Sequence, residues 1–245
     1  MRGGYGTLGM LHPLRLTEFP VKPAAPGNAR SPEPATPVPP NADPAARWDI
    51  EGVPPFASSS PSPAPFSATA ASPAFAAFAR AADRLVDDPR TVAAHLGQLL
   101  RRDDWLAAED RAPGADSYRQ HLLHVSPCRR LSIASLVWLP GQTTPIHDHV
   151  SWCVVGVYRG VEREERFDLV DDGARRWLEP AGTVYAGRRH VETLVPPEGD
   201  IHTVTAAGRE MAISIHVYGA DLQALGSSIN RRYDDLPVVR PDRGA

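Results

Sequence analysis

From Tyr118 to Tyr218 the chain is a succession of short strand-like runs separated by turn residues, and nothing else in it restricts the fold as much. The runs are Leu122–Val125, Leu131–Trp138, Trp152–Tyr158, Glu162–Val170, Gly182–Tyr185, Val191–Val195 and Met211–Tyr218. Many short strands at this spacing predict an antiparallel barrel or sandwich, with an interior wide enough for one small ligand. Ahead of them lie two helical patterns. Ser72-Pro73 supplies a cap and a first-turn proline, and Phe75, Phe78, Ala82 and Leu85 then form one apolar stripe. Val92, Leu96, Leu99 and Leu100 mark a second helix, ended before Pro113-Gly114. These faces are expected to pack on the barrel and take no part in chemistry.

From about Pro20 to Ala71 the composition changes to Pro, Ala and Ser, as in Arg30-Ser-Pro-Glu-Pro-Ala-Thr-Pro-Val-Pro-Pro40. Proline removes amide donors and fixes φ, and the segment has little apolar surface to offset the entropy of ordering. Residues 1–71 are therefore expected to be a disordered extension; a docking segment for a proline-binding partner is the functional alternative. The expected ordered domain covers 72–245, divided into a helical part (72–112), a barrel (117–219) and a C-terminal tail (220–245) read as a helical turn followed by irregular chain.

Two segments concentrate metal-binding side chains. Gly141-Gln-Thr-Thr-Pro-Ile-His147-Asp-His149 places two imidazoles two positions apart, hence on one face of a strand. About fifty residues later, Pro197-Glu-Gly199-Asp-Ile-His202 presents a third after a glycine turn. Three neutral imidazoles suit a borderline transition metal and leave coordination positions open for a substrate. Asp148, between the first two, points to the opposite face and is expected to be structural. A second constellation is Ser214-Ile-His216-Val-Tyr218, where polar residues alternate with Ile213, Ile215 and Val217. Buried hydroxyl and imidazole groups need partners, and these can supply one another in a relay.

The spacing of Gly141, His147, His149, the variable position Cys153 and Gly160 resembles the first cupin signature, and Pro197, Gly199 and His202 resemble the second. The resemblance, from Gly141 to about Val217, implies a mainly β fold, the double-stranded antiparallel β-helix or jelly-roll barrel. Many cupins carry a metal-binding glutamate at the variable position. Its replacement by Cys153, together with the Ser-x-His-x-Tyr run, resembles the cysteine dioxygenase-like thiol dioxygenases. That likeness implies Fe(II) held by His147, His149 and His202, with Tyr218 reaching the substrate and His216 and Ser214 orienting its phenol. It implies oxidation of the thiol of a small mercapto-carboxylate to a sulfinate with dioxygen.

Within Tyr118-Arg119-Gln120-His121-Leu122-Leu123, Gln120 occupies the place of the arginine that grips the carboxylate in cysteine-selective members. This form resembles the bacterial glutamine-type branch associated with 3-mercaptopropionate, so that thiol is expected ahead of cysteine. Arg119 should face away. Arg231 and Arg232 are further candidates for the substrate carboxylate. In the animal enzymes a cysteine placed like Cys153 forms a thioether with the tyrosine matching Tyr218; a free buried thiol is the alternative. Other metal-dependent cupin chemistry, or a cupin that only binds a small molecule, are the rival functions. Zinc competes on ligand type, and iron is favoured by the relay and by the lack of a carboxylate suited to general-base hydrolysis. Glu162-Arg-Glu-Glu-Arg166 reads as a solvated strand face, and His190 as an exposed turn residue.

Composition sets the remaining expectations. A net charge of −3 gives no basic footprint for nucleic acid. No apolar run approaches a bilayer span, and the first residues lack a signal-peptide pattern. With 2 cysteines in the chain, free thiols in a cytoplasmic setting are expected, in a monomer or small homo-oligomer.

Overall fold

The computed structural model describes residues 67–240. Helix α1 (Pro73–Arg84) and helix α2 (Pro89–Leu99) come first. Ten strands follow: β1 (Arg119–Val125), β2 (Ser132–Trp138), β3 (His147–His149), β4 (Cys153–Arg159), β5 (Val161–Asp171), β6 (Arg176–Gly187), β7 (Val191–Leu194), β8 (His202–Ala206), β9 (Ala212–Tyr218) and β10 (Ile229–Arg232). A single helical turn, α3 (Leu222–Leu225), lies between the last two. One five-stranded sheet runs β1-β2-β9-β4-β7 and the other β10-β3-β8-β5-β6, with every strand pair antiparallel. This is the double-stranded β-helix of the cupin fold. No helix among the described residues is long and apolar enough to cross a membrane.

Local sequence explains the helices. The Ser72 side chain accepts from the amide of Phe75, and Asp88 does the same for Thr91, each followed by a proline in the first turn. Phe75, Phe78, Leu96 and Leu100 then form one core with Ile133, Ile213, Ile215 and Val217. That contact explains why all seven residues of β2 and of β9 are buried. Their outer faces lie under the helices and their inner faces line the barrel. Gly156 on β4 permits the approach, because a Cβ there would stand 2.6 Å from Leu100 Cδ1.

Three elements differ from the sequence expectation. Ala68–Ala71 form a 3₁₀ turn within the stretch assigned to the extension. Thr69 is fully buried there, its amide donating to Asp110 and its hydroxyl accepting from the amide of Ala107. The rest of the Pro-rich segment lies outside the described residues. The tail also contains a strand, β10, which pairs with β3 beside His147 and His149. Its period was too short to register in Ile229-Asn-Arg-Arg232. Lastly, β6 is 12 residues long and forms a hairpin with β5, shifted in register between Arg166 and Phe167 and extending well before Gly182.

Candidate metal centre

His147 and His149 lie on β3, and His202 pairs directly with His147 at the start of β8. All three are buried, and one nitrogen of each falls within 4.8 Å of the others. The ring centroids are 4.7 to 5.0 Å apart. Each imidazole is turned by a hydrogen bond at Nδ1: His147 to the carbonyl of Pro145 (3.0 Å), His149 to Asp200 Oδ1 (2.7 Å) and His202 to Glu164 Oε1 (2.7 Å). All three partners accept, so Nδ1 carries the proton and the lone pair of Nε2 faces the common centre. Support of this kind fixes ligand orientation and raises ligand basicity. Burial, reinforced by the neighbouring imidazoles, pushes His147 well below the usual histidine range and His202 down to about 3. These rings stay neutral and available as ligands at physiological pH. The donor set therefore fits a divalent transition metal held by three imidazoles.

Two of the supporting groups were not visible as such in the sequence. Asp200 is 1% exposed, and besides His149 Nδ1 it accepts from the His149 amide at 2.7 Å. Glu164 is also held by Arg166, which donates to Glu164 at 2.9 Å and pairs with Glu192. The reading of Glu162–Arg166 as a solvated face is corrected: Glu162 and Glu164 are buried and point inward, while Arg163 and Glu165 pair with each other on the other face. The signal that could have found them is the period of a strand, since mixed charge hid two inward carboxylates. Asp200 lies in the loop just before β8, where no strand period could mark it. Asp148 does lie outside, accepting from the Tyr233 hydroxyl (2.8 Å) and the Asn230 amide (3.2 Å).

Ser214, His216 and Tyr218 project from β9 into the same interior. Tyr218 Oη lies 3.0 Å from His216 Nδ1, and His216 Nε2 lies 2.9 Å from Ser214 Oγ. Burial, with smaller contributions from His149 and His202, pushes His216 down to about 3, so its ring is neutral. The Trp138 indole, which can only donate, reaches Ser214 Oγ at 3.4 Å. A consistent network has Ser214 donating to Nε2 and Nδ1–H donating to Tyr218 Oη, which leaves the phenol O–H free to face the centre. The Tyr218 ring centroid is 6.3 Å from that of His149. Burial, followed by the Cys153 thiol, raises the phenol well above its usual range. Cys153 is the direct cross-strand neighbour of Tyr218 and is a buried free thiol, its Sγ 3.8 Å from His216 Nδ1.

His147, His149, His202, His216 and Tyr218 line one cavity of about 50 Å³, together with Gln120 on β1. Space of that size holds about four water-sized groups, which suits a ligand of a few heavy atoms. Gln120 is buried and Arg119, next to it, is exposed. Arg231 stacks over the Tyr233 ring and Arg232 donates to Asp234, both away from the cavity. His190 is largely exposed at the cavity rim. The expectation that no carboxylate suited to base catalysis stands nearby is also corrected. Glu162 lines the cavity, and burial raises its carboxyl to about 7.

No family model matches the chain. Among solved structures, oxalate oxidase in complex with glycolate is 13% identical over 47% of this chain and 59% of its own, with a TM-score of 0.36. The chain thus spans less than two thirds of that protein. An uncharacterised protein with a double-stranded β-helix domain from Klebsiella pneumoniae is 13% identical (49% of this chain, 88% of that one, TM-score 0.37). An RmlC-like cupin from Desulfovibrio desulfuricans is 22% identical (46% and 92%, TM-score 0.32). At those scores the likeness adds nothing to what the strand order itself defines.

Proposed function

We propose that this protein is an Fe(II)-dependent dioxygenase that converts the thiol of a small molecule to its sulfinate. The observation that carries the reading is the Tyr218-His216-Ser214 chain beside three imidazoles with no carboxylate among the ligands. Bound iron would supply the redox chemistry, with the sulfur giving up four electrons and both atoms of dioxygen ending on it. No external reductant is needed for that balance. Neutral ligands leave the cation its full charge, which favours a thiolate as the incoming donor.

The chain's own residues position and exclude. Asp200, Glu164 and the Pro145 carbonyl hold the three rings in place. Tyr218 presents a protonated phenol toward the centre, and His216 and Ser214 keep it aimed. Apolar walls such as Leu136, Val155 and Leu194 limit water around the reacting sulfur. The cross-strand pairing of Cys153 with Tyr218 supports the thioether that the family resemblance implies. The small cavity agrees with either expected thiol, 3-mercaptopropionate or cysteine.

Oxygen uptake by anaerobically iron-loaded protein, offered small thiols, tests the reading. Uptake matched by sulfinate is expected, and zinc-loaded protein should show none. A second reading, a hydrolytic metal centre, draws on Glu162 as a buried carboxyl with a pKa of about 7. Ester hydrolysis by the zinc form, without thiol oxidation by the iron form, would favour it.

A further inference from the structure

The relay on β9 does not end at Ser214. Ser214 is fully buried, and its hydroxyl meets His216 Nε2 at 2.9 Å and the Trp138 indole at 3.4 Å. It also bonds the carboxyl of Glu162, which reaches it from β5 in the opposite sheet. Trp138 and Glu162 line the same cavity, so the Ser214 end of the relay lies on the Glu162 side of it. Glu162 is 3% exposed, and its Oε1 has no partner. Burial raises this carboxyl to about 7, against the Ser214 bond and with the added charge of Glu164. Arg166 is engaged by Glu164 and by Glu192 of β7, and among the described residues no Lys or Arg lines the cavity. The other titratable groups facing the same space are Tyr118 on β1, His190 on β7, His216 and Tyr218 on β9, and the three imidazoles.

Neutral His216 has one proton for two neighbours, so the hydrogen bonds of the relay have two consistent directions. With Glu162 protonated, its O–H donates to Ser214 Oγ and Ser214 donates to Nε2. Nδ1–H then donates to Tyr218 Oη, and the phenol O–H is free to face the centre. With Glu162 ionised, the carboxylate accepts from Ser214, Nε2–H donates to Ser214 Oγ, and Nδ1 accepts the phenol O–H. The Trp138 N–H donates to Ser214 Oγ in both. The two arrangements differ by one proton. When the phenol gives its proton to an acceptor at the centre, the proton of Nδ1 passes to Oη, that of Ser214 to Nε2 and that of Glu162 to Ser214. The second arrangement is what remains.

We propose that Glu162 is the fourth member of the relay, a positioning residue whose proton, acting through Ser214 and His216, sets whether the Tyr218 hydroxyl faces the metal centre. This role rests on the thiol dioxygenase reading for its effect on turnover and on the relay alone for its effect on His216. The phenol proton is directed to the centre below about pH 7 and turned to His216 above it.

Nitrogen-15 NMR of the His216 ring in metal-free protein, assigned with His216→Gln, reads the direction of the relay without any turnover. In the native protein the ring proton should sit on Nδ1 below about pH 7 and on Nε2 above it. In Glu162→Gln nothing titrates at that end, so one tautomer should persist throughout. Ser214→Ala, which keeps Glu162 but removes the link, should likewise uncouple the ring from pH. In iron-loaded protein, the native rate of thiol oxidation should fall by about tenfold per pH unit on the alkaline side, and Glu162→Gln should lack that fall. Iron content checks that each variant keeps its barrel. A His216 tautomer that stays fixed in the native protein, or that changes equally in Glu162→Gln, would overturn the role of Glu162 and leave the dioxygenase reading standing. A tautomer that follows Glu162 in a protein that oxidises no thiol would uphold the relay and remove the dioxygenase reading instead.

Discussion

Replacing Asp200 by asparagine changes one buried oxygen to an amide nitrogen and should loosen the metal without collapsing the barrel. Asp200 accepts from the backbone amide of His149 at Oδ2 and from its ring nitrogen at Oδ1, both at 2.7 Å. An asparagine has one oxygen for two donors. If that oxygen serves the backbone, the amide NH₂ faces Nδ1–H of His149, donor against donor. The ring can escape by moving its proton to Nε2, which removes the lone pair that faces the metal. A charge-assisted hydrogen bond contributes about 1.5–3 kcal/mol, so metal affinity should drop by about ten- to a hundredfold. Competition against a chromophoric chelator under anaerobic conditions measures it directly. An Asp200→Asn variant that holds iron as tightly as the native protein would refute the claim that this carboxylate sets the His149 tautomer.

Other substitutions separate the parts of the site. His202→Ala removes one of three ligands and should abolish iron binding, read as metal content after dialysis. Tyr218→Phe should retain iron and slow thiol oxidation by about a hundredfold or more, the usual scale for one positioned proton donor; normal turnover would remove the role given to the relay. Glu162 carries a pH prediction for the metal-free protein. Burial raises its carboxyl from 4.5 to about 7, so the folded state keeps a proton that the unfolded chain releases. Stability is therefore highest below 4.5 as far as this group is concerned and is lost between 4.5 and about 7, on the order of 3 kcal/mol. Chemical denaturation of Glu162→Gln across that window should show a flatter dependence than the native protein. Gly160 has φ +78°, and a Cβ there would stand 2.7 Å from Ala212 Cα, so Gly160→Ala should cost about 1–3 kcal/mol in the same assay.

The parts of this molecule that follow a short period were legible from the residues. His147-x-His149 and Ser214-x-His216-x-Tyr218 each repeat every second position, and strand geometry alone puts each set on one face. The stripe of Phe75, Phe78 and Ala82 likewise announced a helix with one buried side. What stayed hidden depends on contacts between distant segments. Glu162-Arg-Glu-Glu-Arg166 has the composition of a wet surface, yet Glu164 is drawn inward by His202, 38 residues away. Asp200 gains its meaning from His149, 51 residues earlier. The strand Ile229–Arg232 exists because β3 offers it an edge, and four residues carry too little pattern to show this. Thr69 is ordered by Asp110 rather than by its Pro- and Ala-rich neighbours.

Where the oxygen goes decides whether this protein is a thiol dioxygenase. Iron-loaded protein should be mixed with a small thiol under isotopically labelled dioxygen, and the product analysed by mass spectrometry. A thiol dioxygenase gives a sulfinate with both oxygens labelled, formed by native protein and strongly reduced with Tyr218→Phe. A product that takes oxygen from water, or a disulfide with no oxygen incorporated, would contradict it.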